Sequence, residues 1–462
     1  MSIQHYLCFL FICWNSLASE YWMDDVAYDP ANFGAGTESD PYRVGGYCSA
    51  TGFDAVMTDL MATNGPVTIR LQPGTYFTHS QNFSNPLWLL KAGTQIIGNG
   101  SGWNRPTIRR CNLHDDQSIH DLSYVLFGDI NANDILIENL FIDCNYTTNF
   151  PRTSCAGINI RGGGTVRGVT INNVSGNTDE NNGGAEMYGL RVSGQFSSDN
   201  YDINRNASIL IENCAVVIVK GGYISGIMPG AGTGAVRSNI VVAPLWHVTE
   251  SDNPYNVARG INVTAANGMV IHDNVTSGGR TALYSDFREI DDLSIFNNDF
   301  NECVSGIHIH RGDHTNSQSA FTHDVTGVEI YNNMIRHMTN ATGATNVGGW
   351  DQGTGIKIQD HIDFDLPSPR TPGKISYILI EDNIITGGDW WNFNGTTSMS
   401  IQLMNIDNVI CHSNRADKVY GTQVRAYWYT NLTGSSYFYS LLDEEDNEVL
   451  TSWPSGVPWI EP

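Results

Sequence analysis

The sequence predicts an all-β protein whose chain winds into a single-stranded right-handed parallel β-helix, a solenoid with a helical cap at its N-terminal end. Three observations predict this fold: short strands that recur along the chain, asparagine at one fixed register of the repeats, and a turn-rich composition. The 462 residues include 47 glycines, and only 16% of them are charged, as is typical of a β protein with many turns. An antiparallel sandwich, the alternative, would have no fixed ladder position.

The first repeated element is an aliphatic strand that ends in a polar turn. Its copies are ILIENL (135–140), VTINNV (169–174), ILIENC (209–214), MVIHDN (269–274), LSIFNN (293–298), VEIYNN (328–333), ILIEDN (378–383) and VICHSN (409–414). The last five copies share a final asparagine, namely Asn274, Asn298, Asn333, Asn383 and Asn414. Because a side-chain amide both donates and accepts hydrogen bonds, these residues predict a ladder that joins successive coils.

The second repeated element lies between copies of the first and alternates aliphatic with polar residues. Its copies are GINIRG (157–162), GLRVSG (189–194), GINVTA (260–265), ALYSDF (282–287), GIHIHR (306–311), GIKIQD (355–360) and SIQLMN (400–405). Successive side chains of a strand point to opposite faces. The aliphatic residues are therefore expected in a core, and the polar residues, including His308 and His310, are expected to stand in water. A solenoid of short stacked repeats satisfies both elements.

The chain is expected to divide into four segments. Residues 1–19 hold an apolar run followed by small residues and resemble a signal peptide, although no Lys or Arg precedes the run. Residues 20–110 are the N-terminal segment with the cap helix, and residues 111–415 are the β-helix. The aromatic-rich tail, residues 416–462, is expected to cover the open edge of the last coil.

The N-terminal segment also carries a resemblance to a known family. Residues FDAVMTDLMATNG (53–65) have helical periodicity in their apolar positions, and VTIRLQPGTY (67–76) and KAGTQIIGNGSG (91–102) follow. A helix followed by a strand ending in P-G-T-Y and then by a G-x-G turn resembles the entry of the pectate-lyase-like right-handed parallel β-helix protein family. The resemblance implies that fold, and it implies a polysaccharide substrate, since most members act on polysaccharides.

Charge and cysteine content limit the partners. The net charge is −24, with 24 Lys plus Arg against 48 Asp plus Glu. Such a field repels nucleic acid and anionic membranes, so neither is an expected partner, and the N-terminal run predicts a secreted, extracellular protein. The seven cysteines after residue 19 are an odd number, which leaves at least one thiol outside a disulfide. The sequence leaves the disulfide pairing and the oligomeric state open.

The polar positions of the second element form the candidate site, because stacking places equivalent residues about 4.8 Å apart. One predicted file reads Asn159, Arg191, Asn262, Tyr284, His308, Lys357, Gln402. The candidate catalytic residues are Tyr284, Asp286, His308, His310 and Lys357. The candidate substrate-binding residues are Arg161, Arg191, Arg288, Arg311, Gln359 and Trp350. Imidazole titrates near neutral pH and suits acid or base catalysis, whereas guanidinium and ammonium groups suit a substrate carboxylate.

Together with the polysaccharide substrate that the resemblance implies, these residues predict a carbohydrate-active protein, foremost a polysaccharide lyase that cleaves an acidic polysaccharide by β-elimination. No metal site is predicted, and the cofactor stays open: a Ca²⁺ held by Asp286, Glu289 or Asp360 is an alternative way to neutralise the substrate. A glycoside hydrolase, which needs two carboxyl groups, is the second function considered, although the G-H-G motif of polygalacturonase-like enzymes is absent. A non-catalytic carbohydrate-binding or surface protein is the third.

Overall fold

The computed structural model describes residues 18–46, 52–79, 81–82, 86–111, 122–130, 132–145, 154–176, 187–194, 206–220, 224–244, 258–286, 289–303, 305–311, 324–337, 354–360, 375–387, 399–404, 406–417, 425–430, 437–438 and 441–442. Most of this part of the chain is β-strand. One α-helix, α1 (Phe53–Ala62), and one 3₁₀-helix (Gly102–Asn104) lie near its N-terminal end.

The strands that precede the first full repeat are β1 (Ser19–Ala27), β2 (Tyr42–Gly45), β3 (Val67–Leu71), β4 (Thr75–Thr78), β5 (Gln81–Asn82), β6 (Gln95–Gly98), β7 (Thr107–Arg110) and β8 (Leu122–Phe127). The next are β9 (Ile135–Glu138), β10 (Phe141–Asp143), β11 (Ser154–Ile160), β12 (Gly164–Arg167), β13 (Thr170–Ser175), β14 (Met187–Ser193), β15 (Ala207–Glu212), β16 (Ala215–Lys220), β17 (Ile224–Gly230), β18 (Gly232–Arg237), β19 (Ile240–Val242), β20 (Ala258–Val263), β21 (Ala266–His272) and β22 (Val275–Ser277).

The remaining strands continue the same order towards the C-terminal end. They are β23 (Thr281–Asp286), β24 (Ile290–Phe296), β25 (Asp299–Cys303), β26 (Ser305–Arg311), β27 (Val325–Tyr331), β28 (Met334–His337), β29 (Thr354–Asp360), β30 (Ile375–Glu381), β31 (Ile384–Gly387), β32 (Met399–Met404), β33 (Ile406–His412), β34 (Asn414–Asp417), β35 (Arg425–Thr430), β36 (Tyr437–Phe438) and β37 (Leu441–Leu442).

These strands stack in three columns, one for each face of the solenoid. Column 1 is a 14-stranded sheet in the order β2-β1-β3-β6-β9-β12-β15-β18-β21-β24-β27-β30-β33-β36. The other described strands form a 23-stranded sheet that consists of column 2, in which every third strand from β4 to β37 pairs, and column 3, in which every third strand from β5 to β35 pairs. The coils pair in parallel from β3 onwards. Two contacts between described strands are antiparallel, one between β5 and β8 and one between β11 and β13. The chain is therefore a right-handed parallel β-helix, as the sequence predicts.

The interior of the solenoid is filled with aliphatic side chains stacked in register. Ile271, Ile295, Ile330 and Ile380 occupy equivalent positions in four successive strands of column 1 and are fully buried. β-Branched side chains pack well against the same residue on the neighbouring strand of a pleated sheet. Burial of this continuous apolar core is the main favourable term in folding.

An asparagine ladder runs along the corner between columns 1 and 2. It consists of Asn239, Asn274, Asn298, Asn333, Asn383 and Asn414, all at most 2% exposed. Each side-chain amide donates to the side-chain oxygen of the next at 2.9 Å. The predicted ladder is thus confirmed, and Asn239 extends it by one coil. The preceding residue of each turn has a positive φ, for example 54° at both Asn297 and Asn332, a conformation that asparagine tolerates.

Two coils differ from the predicted repeats. VTINNV is expected in the first element, but Thr170–Ser175 is strand β13 of column 2, and β12 occupies column 1 at that level. The coil formed by β17, β18 and β19 is not among the predicted repeats, because glycines and a proline interrupt its aliphatic pattern. The alternation of apolar and polar residues in this coil is weaker, yet its strands pair in register with those of both neighbouring coils.

The cap helix forms as predicted and ends at Ala62. Phe53, Val56, Met57 and Leu60 are buried against the first coils. The buried carboxylate of Asp54 accepts hydrogen bonds from Thr78 Oγ1 at 2.6 Å and from Trp88 Nε1 at 2.9 Å. These hydrogen bonds join the helix to strand β4 and to the segment that follows it, and so fasten the helix to the solenoid.

At the other end, β35, β36 and β37 pair in parallel with β32, β33 and β34 and so continue the three columns beyond residue 415. The four segment boundaries and the capping role of the tail stay predictions. Cys111 is in a disulfide, and the other described cysteines are buried thiols: Cys144, Cys155, Cys214, Cys303 and Cys411. Among the described residues, no helix combines the length and the apolar composition needed to cross a membrane.

Candidate functional site

Column 3 brings three of the predicted catalytic residues into one row. Tyr284 on β23, His308 on β26 and Lys357 on β29 occupy the same register position in three successive coils. The rings of Tyr284 and His308 meet edge to face, with centroids 5.3 Å apart and planes at 84°. Residues far apart in sequence therefore share one surface, which we call the site row: Asn262, Tyr284, His308, Lys357 and Gln402.

A second row lies beside the site row. Asp286, His310 and Gln359 share its register, and the ring of His310 lies 5.3 Å from that of His308 and 6.1 Å from that of Tyr284. One tyrosine and two histidines thus form a single aromatic cluster across two coils. Such a cluster holds two imidazoles close to a phenol, the combination that acid and base catalysis uses.

The repeated glycine of the second element allows these coils to approach each other. A Cβ on Gly306 would lie 2.4 Å from the carbonyl oxygen of Gly355 and 2.4 Å from Ile335 Cγ2. A Cβ on Gly260 would lie 2.4 Å from the oxygen of Ala282. These contacts are too short for any real Cβ, so glycine is required at these two positions, near the start of strands β20 and β26.

The site side chains are buried, and the prediction that the histidines stand in water is wrong. Their exposed fractions are 4% for His308, 5% for His310, 8% for Tyr284, 5% for Lys357 and 6% for Gln359. Alternation along a strand decides only that a side chain points away from the solenoid interior. Whether it meets water depends on what else packs on that face. Residues 312–323, 338–353 and 361–374, adjacent in sequence to these strands, lie outside the described residues.

Some predicted site residues are described only in part. Arg311 is opposite Asp360 in the strand register, and Asp286 lies in β23, but only the backbone of these three residues is described. Arg288 and Trp350 lie outside the described residues. Their predicted roles in catalysis or substrate binding stay predictions.

Two predicted substrate-binding arginines lie near the N-terminal end of column 3. The Arg161 guanidinium is 5.1 Å from the ring centroid of Phe127, and that of Arg191 is 5.1 Å from the ring of Tyr188. Burial is the larger cause, and the positive charge of Arg191 the next, of a lowered pKa of about 10 for Arg161. The two cations are thus close enough to repel each other, and an anionic group beside them would relieve that repulsion.

Asn159 adds a polar group to this arginine pair. It lies opposite Arg191 in the strand register and is fully buried. Neither its side-chain nitrogen nor its side-chain oxygen has a hydrogen-bond partner among the described residues. A buried amide without partners costs about 1–3 kcal/mol, and a polar ligand at this position would satisfy it.

Arg259, which contacts the aromatic cluster, is not among the site residues that the sequence predicts. Its guanidinium carbon lies 3.9 Å from the ring centroid of Tyr284, and the side chain is only 7% exposed. Arg259 precedes the glycine of GINVTA and so falls outside the repeated hexapeptide, although strand β20 already starts at Ala258. The predicted file also omitted Met228, which lies opposite Arg191 in the missed coil.

A metal site is not evident in the described part of the chain. No group of three or more His, Cys, Asp or Glu there is arranged to hold an ion. The side chains of Asp286 and Asp360 are not described, so the calcium alternative stays a prediction.

Three columns of parallel strands, a buried amide ladder and a polar row on one face define a parallel β-helix with a candidate ligand face. No protein-family model and no curated protein sequence matches the chain. Several solved structures do match the chain. The tailspike protein of E. coli bacteriophage HK620 in complex with a pentasaccharide has a TM-score of 0.56 at 13% identity, over 92% of this chain and 66% of that one. A mutant of the same tailspike in complex with a hexasaccharide has a TM-score of 0.52 at 13% identity, over 93% and 66%.

A further neighbour is the pre-mature gene product 12 of bacteriophage phi29. It has a TM-score of 0.52 at 12% identity, over 85% of this chain and 51% of that one. The chain thus spans about half of the length of this neighbour and about two thirds of the length of the tailspike. At these identities the likeness shows the fold alone.

Proposed function

We propose that the chain is a carbohydrate-active β-helix protein that binds an acidic polysaccharide along column 3 and cleaves it by β-elimination. The observation that carries the proposal is the site row, in which Tyr284, His308 and Lys357 from three coils share one register with His310 beside them. The tailspike neighbours, solved in complex with oligosaccharides, support a sugar chain as the ligand of such a scaffold.

The acidity of the substrate follows from the cationic groups on column 3. The protein as a whole carries a charge of −24 and repels anions at long range. Arg161, Arg191, Arg259 and Lys357 nevertheless lie on this one face, and Arg161 already has a lowered pKa beside Arg191. A uronate carboxylate is the group in an acidic polysaccharide that such cations bind.

The chemistry requires three roles, and the site row supplies one residue type for each. In the proposed scheme Lys357 neutralises the uronate carboxylate, which makes the proton on C5 more acidic. His308 removes that proton, the C4–O bond breaks, and the electron pair of the C–H bond forms a C4–C5 double bond. Tyr284 donates its proton to the leaving oxygen. The three residues span about 10 Å along the solenoid, enough for the two sugar residues that flank the bond.

Three finer assignments belong to the same proposal. The chain would act outside the cell, as its N-terminal apolar run predicts. It would resemble pectate-lyase-like proteins in substrate class as well as in fold. Charge neutralisation by Lys357 would make a calcium ion unnecessary.

The direct test is incubation of the purified protein with polygalacturonate, alginate, hyaluronan and chondroitin. A lyase produces an unsaturated uronate that absorbs near 235 nm, and we expect this absorbance with at least one polymer. The matched variant Lys357→Met keeps the length of the side chain but not the charge, and should lose at least about 100-fold in rate. EDTA should leave the rate unchanged. Absence of the absorbance with all four polymers would refute the lyase.

A non-catalytic carbohydrate-binding protein is the second candidate, and the burial of the site row favours it. Exposures of 1–8% suit a residue held in place better than one that must reach a moving reaction centre. This candidate predicts binding of an acidic oligosaccharide in calorimetry with neither new absorbance nor new reducing ends. New reducing ends without absorbance would instead indicate the glycoside hydrolase.

A further inference from the structure

A second group of aromatic and polar side chains lies far from column 3, at the corner between columns 1 and 2. Trp103, in the 3₁₀-helix that follows β6, is 94% exposed. Its ring lies parallel to that of Phe141, with planes at 5° and centroids 6.1 Å apart. Exposed indoles are costly in water and are enriched where a protein meets a ligand.

The loop that carries Trp103 is held rigidly at both ends. Arg105 lies with its guanidinium 4.0 Å from the ring centroid of Phe141, and it donates hydrogen bonds to the carbonyl oxygens of Gly102 and Gly168. The side-chain amide of Asn139 donates to the carbonyl oxygens of Gly98 and Gly100 at 2.7 and 2.9 Å. These bonds hold the backbone on both sides of Trp103, so less conformational entropy of the loop is lost when a ligand binds.

A cleft of about 540 Å³ adjoins this loop, a size within the range of small-molecule sites. Gly98, Asn139 and Gly168, the residues that anchor the loop, line the cleft. Its polar side chains come from four coils and are Arg70, Glu138, Asn139, Arg167 and Asn213. The aromatic platform and the polar cleft are thus parts of one surface.

The charges of the cleft are balanced. Arg167 forms an ion pair with Glu138 at 2.9 Å, and Arg70 forms one with Glu20. The cleft offers donors and acceptors without a net charge to attract an ion. An uncharged ligand rich in hydroxyl groups, with an apolar face for the indole, fits this combination.

We propose that Trp103 and this cleft form a second carbohydrate-binding site, which takes an uncharged oligosaccharide. One sugar ring stacks on the free face of the indole, and the next ones reach the amides and ion pairs of the cleft. This site is independent of the proposed cleavage on column 3, since a corner between columns 1 and 2 faces away from column 3. It would hold the protein on a neutral glycan surface while column 3 works on an acidic chain.

The test is isothermal titration calorimetry of the full chain with six neutral probes: maltohexaose, cellohexaose, mannohexaose, xylohexaose, laminarihexaose and N-acetylchitohexaose. We expect at least one probe to bind. Trp103→Ala should weaken that binding by about tenfold, and Trp103→Phe, which keeps an aromatic face, by about threefold. Asn213→Gly should also weaken it, because it removes a cleft amide while glycine suits the φ of 53° there.

Two controls separate this site from column 3. Tyr377→Ala removes another exposed aromatic ring and should leave the binding unchanged, as should Lys357→Met. Trp103→Ala should in turn leave the 235 nm activity unchanged. The proposal is overturned if no neutral probe binds, if Trp103→Ala binds as well as the parent chain, or if Trp103→Ala weakens an acidic oligosaccharide instead.

Discussion

Two buried polar rows run along this solenoid, and they are built in opposite ways. The asparagine ladder repeats one residue six times, and each amide donates to the next at 2.9 Å. The site row on column 3 uses a different residue in each coil, namely Asn262, Tyr284, His308, Lys357 and Gln402. Both rows are almost fully buried.

The difference agrees with a structural role for the ladder and with the binding role that we propose for the site row. A coil that meets only its own copies above and below needs the same residue each time, because one hydrogen-bond pattern then satisfies every level. A row of unlike side chains cannot form such a pattern with itself. Burial of polar groups costs free energy unless partners compensate, so each level of the site row needs partners of its own, whereas one pattern serves every level of the ladder.

The largest expected effect comes from His308→Gln, which keeps a polar side chain of similar volume. The turnover of the acidic polymer should fall by about 10²- to 10⁴-fold, because glutamine cannot take a proton. The free energy of unfolding should change by less than about 1 kcal/mol. Initial rates at 235 nm and urea unfolding of the same preparation measure both. A variant as active as the parent chain would show that the site row is structural after all.

Asn333→Ala tests the opposite row and should act on stability alone. It removes an amide that donates to Asn383 Oδ1 at 2.9 Å and an oxygen that accepts from the amide of Asn298 at 2.9 Å. We expect the free energy of unfolding to fall by about 3 kcal/mol, because buried partners are left unsatisfied. The neighbouring exposed Asn332→Gly is the matched control and should be nearly neutral, since glycine adopts its φ of 54°. Equal stabilities of the two variants would contradict the ladder's role.

Gly306→Ala connects the fold to the site. The new methyl group would meet the Gly355 oxygen at 2.4 Å, so the strand of the two histidines must shift. We expect a loss of about 2 kcal/mol in unfolding free energy together with lower turnover per folded molecule. Gly268→Ala is a control for a backbone effect without a clash: its φ of 68° is left-handed, unlike that of Gly306, and the nearest atom to its Cβ is 3.5 Å away. It should affect stability without affecting turnover.

Arg259→Met should give the smallest effect. The guanidinium 3.9 Å from the Tyr284 ring contributes about 1–2 kcal/mol when desolvated, and methionine fills a similar volume without the charge. Turnover should fall about tenfold, because the Tyr284 ring loses the cation that packs on it beside His308. Initial rates at 235 nm measure this effect, and a variant as active as the parent chain would show that Arg259 has no part in turnover.

The candidate site was predictable only where the repeat is regular. Tyr284, His308 and Lys357 each follow an inward aliphatic residue, so their common row can be predicted from alternation. Arg259 and Met228 could not be found in this way. The first lies just outside the repeated hexapeptide, and the second lies in a coil whose glycines and proline hide the pattern. The burial of His308 was likewise unpredictable, since alternation describes one strand and burial depends on its neighbours.

The sequence by itself determined the coiled fold, the asparagine ladder and the cap helix. The coil and the cap helix follow from the local periodicity of apolar residues, and the ladder follows from asparagines that recur at one register. Only the tertiary structure decided that the site row is buried, that Arg259 lies over Tyr284 and that Trp103 stands beside a cleft. These features join side chains from different coils and loops, and their contacts depend on how the chain packs in three dimensions rather than on any spacing along it.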